Sequence, residues 1–249
     1  MAEATVLVEK KNGVATLTLH RPQALNAITG AMLAELKLAL DDAGTDPEIG
    51  VIVLTGMGRA FSAGVDLKAL GKMSLEQGGI GPRLDDAARA VIHTIQSVAK
   101  VVIAKINGYC FTGALEIALA CDLMIVAEEA KFGDTHAKWG LRPTWGMSAR
   151  LPNAVGLRKA RELSFTADTF TGRDAVEWGL ANRAVPLADL ESAVHEVAVK
   201  ILANSRGSIA AYKVLYNQGV GKTVAEAVEF EQKSRFVIED SNERVEKFR

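Results

Sequence analysis

Two glycine-bearing loops carry the residues of this chain whose types and spacing could do chemistry. The first, Thr55-Gly-Met-Gly-Arg-Ala-Phe-Ser-Ala-Gly-Val-Asp-Leu67, follows the apolar run Val51 to Leu54. The second, Asn107-Gly-Tyr-Cys-Phe-Thr-Gly-Ala-Leu-Glu116, follows Val101 to Ile106. Each is expected to turn sharply after a strand and to open a helix. The first amides of a helix lack intrahelical acceptors, so two such termini, if they converge, form a pocket for a negatively charged oxygen. That is apparatus for an enolate or a tetrahedral oxyanion. With a helix starting near Thr112, the free amides lie at about Gly113, and Glu116 shares their face three positions on. A carboxylate there suits proton transfer at the carbon next to a carbonyl, or activation of water. The plainer alternative makes Glu116 a favourable charge in a first helical turn. Ser62-Ala-Gly-Val-Asp66 alone is a weak motif, because glycine turns after strands are common.

The elements that must position these loops follow from periodicity. Thr5 to Glu9 and Val14 to Leu19 alternate and are joined by Lys-Asn-Gly, which predicts a hairpin. Thr29 can cap a helix with Met32, Leu33, Leu36, Leu40 and Ala43 on one face, broken at Asp46-Pro47. A strand follows from Gly50 to Thr55, and a polar, glycine-bearing stretch from Gly71 to Gly81 reads as a mobile loop. Leu84, Ala88, Val91, Ile92, Ile95 and Val98 predict a helix from Leu84 to about Ala99. Strand Val101 to Ile106, the helix at Glu116 and strand Leu123 to Ala127 complete an α/β pattern with parallel pairing. Lys131 to Leu151 reads as irregular. Beyond it the chain turns helical: Thr171 caps a short helix, and Leu190, Val194, Val197 and Ile201 mark another. Thr223-Val-Ala-Glu226 is a capping box opening a last long helix.

The chain has 249 residues, 49% hydrophobic and 24% charged, with net charge −1. That length supports a large buried core, and the balanced charge, without a basic stripe, argues against nucleic acid as a partner. No apolar run approaches the roughly 20 residues needed to span a bilayer. Residues 1–10 lack a basic start followed by an apolar core, so no signal peptide is expected. Cys110 and Cys121 are the only cysteines and read as buried free thiols, which predicts a soluble, cytoplasmic protein. The four histidines show no paired ligand spacing, so no metal site is expected.

In combination the motifs say more. Arg59-Ala-Phe-Ser-Ala-Gly-Val-Asp-Leu67, Ile106-Asn-Gly-Tyr109 and Gly113-Ala-Leu-Glu-Ile-Ala-Leu-Ala-Cys-Asp122 together resemble the crotonase (enoyl-CoA hydratase/isomerase) superfamily. The resemblance continues through Lys131-Phe-Gly133, Pro143, Arg150-Leu151, Thr171-Gly-Arg-Asp-Ala175 and Gly179-Leu180, and so covers essentially the whole chain. It implies a crotonase-like α/β fold of repeated β-β-α superhelical turns, shared in outline with the Clp-type serine proteases. Residues 1–187 would form the core and residues 188–249 a helical extension that assembles a homotrimer or a dimer of trimers. It implies that the amides of Val65 and Gly113 form an oxyanion hole for an acyl-CoA thioester carbonyl. By the same match Ala24, Leu25, Ala63, Asp66, Leu67 and Lys68 contact the coenzyme A moiety. The substrate brings that moiety, and no separate cofactor is implied.

Hydratases of the family use two glutamates. Glu116 matches the first; an ungapped match from Phe132-Gly133 through Gly140 and Pro143 puts His136 at the second, with Asp134 two residues earlier. His136 could replace the second acid, because imidazole titrates near neutrality. Alternatively Asp134 swings into the role, Glu116 works alone, or His136 only fills a polar wall. Isomerases of the superfamily usually keep a carboxylate at the second position, so retention of Glu116 favours hydratase chemistry: syn addition of water to a 2,3-enoyl-CoA. The alternatives are isomerisation of a 3-enoyl-CoA and a catalytically weakened acyl-CoA-binding homologue. Ser62 has no legible base to make it a nucleophile. His20, His93 and His195 read as surface or helix-face residues. Trp139 and Trp145 read as packing under a loop or as walls of an acyl pocket, and Lys213 as a solvated lysine or a contact to CoA phosphates.

Overall fold

A computed structural model describes residues 3–69 and 76–248; residues 71–75 of the expected glycine-bearing loop lie outside the described residues. Strand β1 (Val6–Lys11) turns through Asn12-Gly13 into β2 (Val14–Leu19), the hairpin that alternation predicts. Helix α1 (Gly30–Thr45) is capped by Thr29, whose hydroxyl accepts from the Met32 amide at 3.2 Å, and its apolar face is buried. Then β3 (Val51–Gly56) and the short β4 (Ala60–Ser62) precede α2 (Pro82–Ser97). The next turn consists of β5 (Val101–Ile106), β6 (Tyr109–Phe111) and α3 (Gly113–Ala118). A third has β7 (Leu123–Ala127), β8 (Lys131–Gly133) and α4 (Met147–Val155).

These repeats build two sheets. The large one runs β1-β2-β3-β5-β7 and ends on β10 (Arg183–Val185), parallel except for the opening hairpin. The small one runs β4-β6-β8 and ends on β9 (Phe170–Thr171), which is antiparallel to β8. Every residue of β3 is buried, as expected for a parallel strand covered on both faces. Each repeat thus sends one long strand to the first sheet, a very short strand to the second, and then a helix. This is the β-β-α architecture that the resemblance implies. Periodicity alone shows only strand and helix, because a three-residue strand is too short to display alternation. Likewise the stretch from Lys131 to Leu151, which reads as irregular, contains β8 and the start of α4.

Helices α5 (Leu157–Thr166) and α6 (Gly172–Glu177) follow, α6 opened by a Thr171–Asp174 capping box. Helix α7 (Leu190–Leu202) buries Leu190, Ala193, Val194 and Ala198 in the main core. After α8 (Arg206–Gly219), the expected last long helix is instead two: α9 (Val224–Lys233), with the Thr223–Glu226 capping box, and α10 (Ser241–Phe248). The break comes at Ser234, which is extended (φ −70°, ψ 149°) and returns its hydroxyl to the Phe230 carbonyl at 2.7 Å. None of the described helices is long and apolar enough to cross a membrane.

Lys213 departs from both expectations. It is buried, and its Nζ donates to the Ile95 carbonyl at 2.8 Å, the Lys100 carbonyl at 2.9 Å and Asp122 Oδ2 at 2.7 Å. The three donors of an ammonium are all used, so none is left for a phosphate or for water. The lysine anchors α8 under β5. Burial raises the Asp122 carboxyl above its usual range, against the pull of Lys213. Lys213→Met takes the counter-ion from a part-exposed carboxylate that keeps only the Val102 amide, and is expected to cost about 1–3 kcal/mol in urea unfolding at neutral pH. Part of the loss should be recovered at lower pH, where Asp122 takes up a proton.

Candidate active site

The second glycine loop is bent by one strained residue. Thr112 sits at φ 52°, ψ −113°, a conformation that a β-branched side chain rarely adopts. Its amide donates to the Gly133 carbonyl at 2.9 Å, and its hydroxyl meets that of Thr135 at 2.6 Å. Helix α3 therefore starts abruptly at Gly113, whose amide has no intrahelical acceptor. Only glycine fits there: an added Cβ would lie 2.5 Å from the Trp145 ring.

The first loop frees its amide differently. The Ile28 amide donates to the Gly64 carbonyl at 2.8 Å, and the Asp66 amide to the Ile28 carbonyl at 2.9 Å. This is a one-residue parallel bridge between Ile28 and Val65. The bridge uses the groups on either side of Val65, so the Val65 N–H faces the opposite way. The chain then leaves through a turn closed by Ala69 N to Asp66 O at 3.0 Å, not through the helix expected from sequence. Gly64 (φ +88°) lies so close to the second loop that an added Cβ would come within 2.8 Å of the Phe111 carbonyl. Among the described residues neither the Val65 nor the Gly113 amide has a hydrogen-bond acceptor, and both residues line one cavity.

Glu116 and His136 line the same cavity, and both are buried. Glu116 Oε1 accepts from the amides of Trp145 (3.0 Å) and Met147 (2.9 Å), and Oε2 faces His136 Nε2 at 3.7 Å. On its other side, His136 Nδ1 lies 2.6 Å from Asp134 Oδ1, while Asp134 Oδ2 accepts from the Ser164 hydroxyl at 2.7 Å. With the carboxylate as acceptor, Nδ1 carries a proton and Nε2 is the nitrogen presented to the cavity. Burial pushes the Glu116 carboxyl above its ordinary range, against the Met147 amide, the His136 ring and the Trp145 amide. Burial acts the same way on Asp134, but the hydrogen bonds from His136 and Ser164 outweigh it and bring that carboxyl below the usual range. Two acids pushed apart by their surroundings, with an imidazole between them, can hold and pass a proton.

Of the residues expected to contact coenzyme A, Ala63 and Leu67 line the cavity, and Ala24, Leu25, Asp66 and Lys68 do not. These outer positions are tied to the first loop: Ala63 N donates to Leu25 O at 2.9 Å, and Arg21 pairs with Asp66 at 2.9 Å. Sequence reasoning missed Asn26. It is buried at φ 54°, and its side chain joins Arg21 N, Met57 O and Ala60 O, which fixes the strands beside Val65. It also missed Asp85, which accepts from the Trp145 indole at 2.8 Å. Trp145 is buried and packs against Gly113, whereas Trp139 is 59% exposed at the cavity wall, so packing under a loop describes only the first. Ser62 is buried with its hydroxyl accepting from the Gly64 amide, a turn contact rather than a nucleophile's setting.

Residues 9–247 match the model of the enoyl-CoA hydratase/isomerase family. A relative named probable enoyl-CoA hydratase 1, peroxisomal, from Arabidopsis thaliana is 34% identical, over 93% of this chain and 86% of its own length. The short-chain-enoyl-CoA hydratase of Clostridium acetobutylicum is 31% identical, over 92% of this chain and 87% of its own. In structure the chain is similar to the enoyl-CoA hydratase of Bacillus anthracis, with a TM-score of 0.87 and 30% identity; the match covers 92% of this chain and 89% of that one. Gly113→Ala, which must displace the Trp145 ring, is expected to lower stability by about 1–3 kcal/mol, read as a lower Tm by scanning calorimetry.

Proposed function

The chain belongs to the enoyl-CoA hydratase/isomerase family, and on that premise we propose how it acts as an enoyl-CoA hydratase. The carrying observation is that Val65 and Gly113 with their free amides, the buried Glu116 and His136, which Asp134 holds from behind, line one cavity. The thioester oxygen of a 2,3-enoyl-CoA accepts from the Val65 and Gly113 amides, which makes the β-carbon electrophilic and stabilises the enolate that follows. One such donor is typically worth about 3–4 kcal/mol of barrier. Glu116, ionised, takes a proton from water as its oxygen adds to the β-carbon. His136 Nε2–H gives a proton to the α-carbon on the same face, and the proton on Glu116 returns to His136. Asp134 keeps the Nδ1 proton in place throughout and does not swing, since doing so would break its bonds to His136 and Ser164.

The coenzyme A moiety comes with the substrate, along the surface formed by Ala24, Leu25, Ala63, Asp66, Leu67 and Lys68. Apolar side chains left exposed on the last helices, among them Val224, Val228, Val245 and Phe248, support assembly as a homotrimer or a dimer of trimers. Two unpaired thiols, Cys110 and Cys121, favour a reducing compartment such as the cytoplasm.

Crotonyl-CoA should lose its enoyl-thioester absorbance on incubation with the protein, with labelled oxygen from water entering the product. Turnover without incorporation would mean double-bond isomerisation, and binding without turnover a weakened homologue. Glu116→Gln is expected to lower kcat by about 10²–10⁴-fold. His136→Gln should do likewise if it supplies the α-proton; an unchanged rate would remove it from the mechanism. Because Glu116 must be ionised and burial raises its pKa, activity should fall with decreasing pH along a limb centred above the ordinary value of 4.5. A stopped-flow pH–rate profile reads this.

A further inference from the structure

Asp85 lies in the first turn of α2 and is buried, yet it does not line the cavity. Its Oδ1 accepts from the Trp145 indole Nε1 at 2.8 Å and from the Thr144 hydroxyl at 2.6 Å. Arg150 meets the same turn from α4: its Nη1 donates to the Trp145 carbonyl at 2.8 Å and its Nη2 to Gln96 on α2 at 3.0 Å. Held from both sides, the turn presents the Trp145 and Met147 amides to Glu116 and lays the indole beside Gly113. The indole and the amide belong to one residue. A group that fixes the ring therefore fixes the amide on which Glu116 rests.

We propose that Asp85 is a positioning residue for hydration, which holds Glu116 in place through the Trp145 side chain. Asp85 never touches substrate. Ile80, two residues before α2, walls the cavity, so the same segment sets both that wall and the base. The proposal rests on the reading of Glu116 as the base.

The test compares Asp85→Leu, Asp85→Asn and Trp145→Phe in the full chain. Without the indole anchor the two amides slacken, and burial acts on Glu116 with less opposition. The other groups facing Glu116 are His136 and, behind it, Asp134, with Arg150 from α4; none of them is altered. In Asp85→Leu the acid limb of kcat/KM for crotonyl-CoA should move to higher pH. Its kcat should fall about 10- to 100-fold, with KM changing far less. Asp85→Asn keeps an acceptor for the indole and should restore both. Trp145→Phe should move the limb in the same direction, and the double variant should lose no more than the worse single one. The Glu116 carboxyl titration, followed by carbon NMR and assigned with Glu116→Gln, should rise in the same variants whether or not crotonyl-CoA turns over. That readout separates this proposal from the hydratase reading. An unmoved titration in Asp85→Leu and Trp145→Phe, or an Asp85→Asn variant as impaired as Asp85→Leu, overturns it. If circular dichroism shows Asp85→Leu unfolded, the Trp145→Phe titration decides alone.

Discussion

Taking a carboxylate out of water costs several kcal/mol unless hydrogen bonds replace its hydration. Glu116 is 1% exposed, and the replacement comes from two backbone amides of a single turn, 145–147. One oxygen is thereby satisfied and pinned, which leaves the other to face His136 and the cavity. The turn has to be rigid for this to work, and Asp85, Arg150 and the close fit of Trp145 on Gly113 make it so. Glu116 and the Gly113 amide are therefore not independent features. The indole that supports the cradle of Glu116 is also the body against which the Gly113 backbone packs.

The small sheet explains why the two glycine loops lie side by side. Strands β4 and β6 are parallel neighbours, so the segments leaving them, Ala63 to Val65 and Thr112 to Gly113, emerge side by side. The large sheet sets the same order with β3 next to β5. Each amide is then freed by a local device. At Gly113 it is a helix start forced by a strained Thr112; at Val65 it is a single bridge to Ile28 that turns the N–H away from its partner strand. Strain of this kind persists only where surrounding contacts over-determine it. Thr112 is held at both its amide and its hydroxyl.

Much of this was legible in the sequence, and the limits have physical causes. Apolar periodicity located α1, α2, α7 and the long strands, because each presents a face to one core. Glu116 could be placed beside Gly113 because three residues of helix fix that relation. The short strands could not be read, since three residues carry no period. Lys213 was misread because its partners, Ile95, Lys100 and Asp122, are over 90 residues away. Asp85 was invisible for the same reason: a charged residue in a first helical turn looks like a favourable end charge until its indole partner, 60 positions on, is in place. Asn26 left a faint signal, as an asparagine in a short polar turn, where left-handed backbone is tolerated.

The histidine at position 136 stands between two carboxyl groups. Where two carboxyl groups share a pocket, like charges keep one of them protonated, so the pair holds one proton and one net negative charge. Here the cluster is a carboxylate, an imidazole and a second carboxylate, Glu116, His136 and Asp134. Asp134 keeps the ring oriented through Nδ1, and Ser164 holds Asp134 in turn. A histidine without that aspartate would be free to turn its Nε2 away from Glu116; with it, Nε2 stays aimed at the free oxygen of Glu116.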